Sequence, residues 1–142
     1  MICSKILVAY DESDLAGKAL AKAIEIAKTD PEIEIQVLHI ISVPVIIGVD
    51  QFVNQSITDK FQEHGRQVLA KAAEEMKSIK NEHYTFLADG KSPATLILNH
   101  AKKNSCDLII MGSRGLSGIK EMLGSVSHTV TQQATVPVLI VK

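Results

Sequence analysis

The 142-residue sequence contains no tryptophan, only two cysteines and no excess of charge of either sign. Its 15 basic and 16 acidic residues give a formal net charge of −1, so it lacks the positive surface typical of proteins that bind nucleic acid or anionic membranes. No apolar run is long enough to span a bilayer, and the first residues do not have the pattern of a secretory signal peptide. We therefore expect a cytoplasmic protein without nucleic-acid or membrane partners.

The cysteines and histidines give no sign of a metal or redox site. Cys3 and Cys106 are far apart in the sequence and form no C-x-x-C pair, so we expect two small core residues. The five histidines include no pair four residues apart, which argues against a structural metal site. We expect His39, within a predicted strand, to be a packed histidine.

Five apolar segments of strand length alternate with helical patterns. The predicted strands cover residues 5–10, 33–41, 84–88, 107–111 and 136–141. Ser13, Ser56 and the Ser92-Pro93 pair predict the starts of the first three helices, and Phe61 is predicted to lie on the buried face of the second. This order predicts one α/β domain over residues 1–142, with a five-stranded parallel sheet covered by helices on both faces. The common strand orders for such a chain are 3-2-1-4-5 and 2-1-3-4-5.

One connection does not fit the pattern of an ordinary surface loop. Residues 42–55 include Val43, Val45, Ile46, Ile47 and Val49, which are too apolar for a solvated linker. We expect this segment to pack over a ligand or a second subunit, or else to lie on its own core; the sequence leaves both alternatives open.

A glycine-rich stretch follows the fourth predicted strand and leads into a serine-rich helix start. Glycines let backbone N–H groups approach a ligand closely, and a helix start adds free N–H donors and a positive dipole end. The stretch therefore predicts a phosphate site. It contains four glycines and two cations, namely Gly112, Gly115, Gly118, Gly124, Arg114 and Lys120.

The glycine loop matches neither of the two common phosphate-binding motifs. It contains no G-x-x-x-x-G-K-[ST], and the G-x-G-x-x-G dinucleotide fingerprint is absent. If the strand order is 3-2-1-4-5, however, the loops after strands one and four face each other across the ligand-binding crevice. Those two loops carry Asp11 and the glycines. Asp11 either caps the first helix or contributes to a site there.

Five sequence blocks resemble the universal stress protein family: V-A-Y-D-E-S at 8–13, V-L-H-I at 37–40, M-G-S-R-G at 111–115, L-G-S-V-S-H at 123–128 and P-V-L-I-V at 137–141. The resemblance extends over essentially the whole chain. It implies a Rossmann-like parallel sheet of order 3-2-1-4-5, homodimers and, in many members, ATP bound through G-x2-G-x9-G-[ST].

The resemblance also implies roles for individual residues. Gly112, Gly115, Gly124 and Ser125 match the phosphate motif, and Arg114 lies beside it. Asp11 matches the acidic residue that reaches the ribose and that could help hold Mg²⁺. Four positions match the walls of the adenine pocket: Ala9, Ile40, Met111 and Val126. Ser125 could equally be the N-cap of the fourth helix, and the two roles are compatible.

The chain departs from the family pattern at two places. Eight residues separate Gly115 from Gly124, where the pattern has nine, and Glu12 stands where many members have glycine. The first change reroutes the loop, since one residue of helix corresponds to about 100° of rotation. The second adds a negative charge near the proposed phosphates.

We interpret the chain as a nucleotide-dependent regulator of the stress response that binds ATP, ADP or AMP with Mg²⁺. The last predicted strand, which begins at Val136 and ends at Val141, is expected to pair with its copy in a homodimer. No catalytic nucleophile or acid–base pair is evident, although slow ATP hydrolysis is compatible with the site. Two alternatives are a nucleotide-free dimerisation module and an adenylating or pyrophosphatase-like enzyme.

Overall fold

The computed structural model describes residues 2–115 and 124–142. Its elements are β1 (Lys5–Ala9), α1 (Asp14–Ala27), β2 (Glu34–Ile41), α2 (Gln51–Met76), β3 (His83–Asp89), α3 (Pro93–Lys103), β4 (Leu108–Gly112), α4 (Ser125–Gln133) and β5 (Val138–Val141). All neighbouring strands pair in parallel, and the order is β3-β2-β1-β4-β5. The predicted sheet and its 3-2-1-4-5 order are confirmed.

The sheet has one apolar cluster on each face, because strand side chains alternate between the two faces. Ile6, Val8 and Ile110 point toward α1 and α2, whereas Leu7 and Ile109 point toward α3 and α4. Helices therefore cover both faces, as expected. Cys3 and Cys106 are buried in these clusters, and burial raises the pKa of Cys106 to about 11, so both are inert core residues.

Two helix starts agree with the sequence prediction and one does not. Ser13 caps α1, accepting a hydrogen bond from the Ala16 N–H at 3.1 Å, and Pro93 begins α3. The prediction that α2 begins at Ser56 is wrong, because the Asp50 side chain caps the helix through the Val53 N–H at 3.0 Å. The first turn thus forms one turn and a half earlier than the serine indicated.

The predicted buried face of α2 is also partly wrong. Val68, Leu69, Ala72 and Met76 are buried, but Phe61 is 38% exposed. None of the 14 residues from Gln51 to His64 is buried. The first half of α2 therefore lies beyond the part of the helix that packs on the sheet.

Candidate functional site

The loops after β1 and β4 meet at the carboxyl edge of the sheet. A Cβ atom added at Gly115 would lie 2.8 Å from Asp11 Oδ2, so a side chain at Gly115 would displace that carboxylate. β1 and β4 are neighbours, with Val8 opposite Ile110. The structure therefore brings Asp11 and Gly115 together at the point where the strand order reverses.

One oxygen of Asp11 is used within its own loop. Asp11 Oδ1 accepts a hydrogen bond from the Ser13 N–H at 2.8 Å and another from the Ser13 hydroxyl. Ser13, rather than Asp11, caps α1, so the alternative role proposed for Asp11 is wrong. This arrangement orients the carboxylate and leaves Oδ2 directed at Gly115.

Gly112 has a packing role that the sequence did not reveal. A Cβ atom added there would lie 2.8 Å from Leu15 Cβ and 3.3 Å from the Arg114 carbonyl oxygen. The absence of a side chain thus lets α1 pack closely on the end of β4. This glycine is needed for the fold whether or not a ligand binds.

Two buried serines tie the start of α4 to the end of β4. The carbonyl oxygen of Ser113 accepts a hydrogen bond from the Gly124 N–H at 2.7 Å and lies 2.7 Å from Ser127 Oγ. Ser127 Oγ is also 3.0 Å from the Gly124 carbonyl oxygen. Sequence reasoning missed this role of Ser113 and Ser127, although the position of Ser127 three residues after Gly124 is typical of a helix start.

The N-cap of α4 is Gly124, so the prediction that Ser125 caps this helix is wrong. Ser125 is the first helical residue and is exposed. Because glycine has no side chain, no cap oxygen accepts from the first-turn N–H groups, and these groups remain available to an anion. Arg114 is half-buried and lies next to Gly124: its Cα would be 3.2 Å from a Cβ atom added at that glycine.

The four predicted wall residues lie on one face of the sheet. Met111 is buried in the cluster under α3 and α4, and Ala9, Ile40 and Val126 are half-buried and packed against it. Three of them come from the carboxyl ends of adjacent strands, and Val126 comes from the first turn of α4. Together they form an apolar surface beside Asp11 and Gly115.

The structure leaves part of the predicted loop undescribed. Residues 116–123, which include Gly118 and Lys120, lie outside the described residues, as does the course of the shortened segment. On the other side of the site, His64 Nε2 of α2 lies 2.6 Å from Glu12 Oε1. His39 is buried, as expected, and its Nδ1 lies 2.8 Å from the Tyr10 carbonyl oxygen, which fixes the chain just before Asp11.

Other features of the described residues do not compete with this site. A groove of about 520 Å³ lies between α3 and the end of α4, near the start of β4 and thus at the opposite edge of the sheet. Within residues 2–115 and 124–142, no three His, Cys, Asp or Glu side chains are grouped to hold a metal ion. None of the helices that the structure describes has the length and apolar character needed to cross a membrane.

Comparison with known proteins identifies the family. The model of the universal stress protein family matches residues 3–142. The chain belongs to the universal stress protein family. It is 40% identical to the universal stress protein YxiE of Bacillus subtilis, an alignment that covers 98% of this chain and 99% of YxiE.

Solved structures of universal stress proteins and similar chains share the fold. The structure of MJ0577, a universal stress protein of Methanocaldococcus jannaschii, superposes with a TM-score of 0.86 at 27% identity and covers 100% of this chain and 97% of its own. A universal stress protein family member from Arabidopsis thaliana, At3g01520, was solved with AMP bound. It has a TM-score of 0.69 at 21% identity over 98% of this chain and 91% of that protein.

Proposed function

We propose that this universal stress protein is a single-domain, cytoplasmic regulator that binds an adenine nucleotide at the carboxyl edge of its sheet. The observation that carries the proposal is the close approach of Asp11 Oδ2 to Gly115, since it sets a carboxylate acceptor beside a backbone without side chains. The AMP bound to the relative from Arabidopsis thaliana supports the choice of an adenine nucleotide.

Each part of the nucleotide has a chemically suitable partner. Asp11 Oδ2 is placed to accept hydrogen bonds from the ribose hydroxyls, because its other oxygen already binds Ser13. The apolar surface of Ala9, Ile40, Met111 and Val126 fits a purine face. Phosphates are then directed toward Gly112, Gly115 and the α4 start.

The phosphate side combines backbone donors with one cation. The first-turn N–H groups of α4, preceded by Gly124, and the hydroxyl of Ser125 are suitable donors to a negatively charged group. Arg114, between Gly112 and Gly115, adds a positive charge. We propose ATP as the ligand, with Mg²⁺ held chiefly by the phosphates and Asp11 as the protein group nearest to hand. When bound, Mg²⁺ would neutralise phosphate charge.

We further propose a homodimer formed through β5. This strand lies at the edge of the sheet, and Leu139 is 37% exposed. Its free N–H and C=O groups can pair antiparallel with those of a second copy about a two-fold axis. Such pairing would place residues 136–141 of the two chains side by side.

Native mass spectrometry of the purified protein, followed by calorimetric titration with ATP, ADP and AMP, tests the proposal. We expect a copurified adenine nucleotide and stoichiometric binding at micromolar to submillimolar concentrations. GTP is the control, because its different ring edge would not match a site selected for adenine. Absence of binding at millimolar ATP would instead favour the nucleotide-free dimerisation module, and release of AMP or pyrophosphate would favour the enzyme.

A further inference from the structure

The most exposed apolar surface of the described chain runs from the end of β2 into the first half of α2. Ile47 is 96% exposed, Phe52 87% and Val45 80%. Four further residues add partly exposed apolar surface, namely Ile46, Val49, Val53 and Phe61. We call these seven residues the α2 apolar surface. The alternative that the 42–55 segment lies on its own core is therefore wrong for Val45 and Ile47.

This surface is held in a fixed conformation. The Asn54 side chain accepts a hydrogen bond from the Ile46 N–H at 3.1 Å and donates one to the Ile46 carbonyl oxygen at 3.2 Å, which ties the apolar loop to α2. Asp50 caps the helix, and Asp89 accepts from the Val43 N–H at 3.2 Å. Three polar side chains thus keep apolar groups in solvent, at a hydration cost that binding would offset.

The helix itself shows that its core-facing side continues beyond the sheet. Val53, Ile57 and Phe61 recur at four-residue spacing, on the side that later carries Val68 and Ala72, which are buried. The 14 residues before Gly65 correspond to about 20 Å of helix. The apolar side of this half is uncovered because the sheet beneath it has ended.

We propose that the α2 apolar surface binds the same surface of a second copy of this chain about a two-fold axis. The seven residues expose roughly 700 Å² per chain, close to the ~800 Å² per partner of a standard stable interface, whereas a monomer rarely leaves so large a patch uncovered. This interface is separate from β5 and does not depend on nucleotide binding.

Charge favours an antiparallel pairing of the two helices. A two-fold axis near Ile57 sets Phe61 of one copy against Val53 of the other and brings Lys60 within reach of the second copy's Asp50. A parallel pairing would instead oppose like charges. The acidic balance of this segment, with Asp50, Asp59 and Glu63 against Lys60, argues against an anionic membrane as the partner.

Analytical ultracentrifugation over a wide concentration range tests the interface. Phe52→Asp is expected to raise the dissociation constant of one association step at least 100-fold, because it puts a charge into an apolar contact. Its matched control is Ile2→Asp, since Ile2 is 97% exposed and lies outside the surface. If Phe52→Asp and the unaltered protein have the same mass at all concentrations, the proposal is overturned.

Thiol cross-linking tests the register, even if β5 also pairs. Ile57→Cys is expected to cross-link through a short bis-maleimide at least tenfold more than Gln55→Cys, which is on the other side of the helix. Cys3 and Cys106 are buried, so the unaltered protein is the background control. Equal cross-linking of the two variants would contradict the pairing. Flotation with neutral phosphatidylcholine vesicles, if abolished by Phe52→Asp, would likewise overturn it in favour of a lipid surface.

Discussion

Asp107 and Asp11 stand at opposite edges of the same pair of strands, and their carboxylates are used differently. Asp107, just before β4, accepts hydrogen bonds from the N–H groups of Ser4 and Lys5 at 2.9–3.0 Å and from the Ser4 hydroxyl at 2.9 Å. Asp11, just after β1, has its hydrogen bonds from described residues on Oδ1 alone, while Oδ2 faces Gly115.

The difference separates a structural carboxylate from one placed for a ligand. At the amino edge both oxygens join the starts of β1 and β4. Burial would raise the pKa of Asp107, but the hydrogen bonds from Lys5 and Ser4 outweigh it and hold the pKa below its ordinary value of 3.8. At the carboxyl edge the corresponding loops are joined by glycine contacts and by Ser113 and Ser127, which leaves an Asp11 oxygen facing a glycine.

The largest expected effect comes from filling the space at Gly115. Gly115→Val places a branched side chain within 2.8 Å of Asp11 Oδ2 and displaces that carboxylate. We expect nucleotide affinity to fall at least 100-fold, measured by calorimetry. The fold should survive, because the clashing atom is the end of a side chain rather than backbone.

The control for this prediction is Gly17→Val, since a Cβ atom at Gly17 meets nothing within 4 Å. It should leave nucleotide affinity within twofold of the unaltered protein. If Gly115→Val bound ATP with unchanged affinity, the carboxyl edge would not be the phosphate site.

Ser125→Ala should produce the next largest loss. Removing one hydrogen bond to a charged phosphate costs about 1.5–3 kcal/mol, which corresponds to roughly a 10- to 150-fold weaker dissociation constant. Thermal stability should change little, because Gly124 rather than Ser125 caps α4. Thr131→Ala, which removes an exposed hydroxyl from the last part of the same helix, should not weaken binding. Equal affinities of the two variants would remove Ser125 from the site.

At the amino edge, Asp107→Asn should affect stability and spare binding. The amide keeps one acceptor but sets an NH₂ group against backbone N–H donors, so we expect a loss of about 1–2 kcal/mol at pH 7 in urea unfolding. A carboxylate whose folded-state pKa is lowered stabilises the fold above its unfolded pKa and loses that contribution as the pH falls through the folded value. The difference from the unaltered protein should therefore shrink below about pH 4. A difference independent of pH would contradict the assignment.

How far the sequence predicts these features depends on whether they are local. Alternation of apolar and helical segments predicted the sheet, and Ser13 could be read as a cap because its partner Ala16 is three residues away. The early start of α2 could not, because Asp50 follows an apolar run and the bonds between Asn54 and Ile46 hold that run in place.

The part of the site made by backbone atoms was also out of reach. The glycines and Asp11 could be named from their types, but the tie between Ser113 and Ser127 uses a carbonyl oxygen that every residue possesses. The close contact of Gly112 with Leu15 is equally non-local, since it depends on where α1 packs on β4. Residue type indicated which groups could bind, whereas packing decided which glycine serves the fold.

The smallest effect is expected from Glu12→Gln, which tests the charge that sets this chain apart beside Asp11. Glu12 Oε1 is 2.6 Å from His64 Nε2, and both side chains are substantially exposed, so solvent screens the pair. Removing the charge should strengthen ATP binding two- to fivefold at low ionic strength, because a carboxylate near the phosphates is repelled by them. The gain should fall toward zero at 0.5 M salt, where charges interact over only a few ångströms. A salt-independent gain, or a loss of affinity, would mean that Glu12 contributes to binding by contact, and that the carboxyl edge uses two carboxylates rather than one.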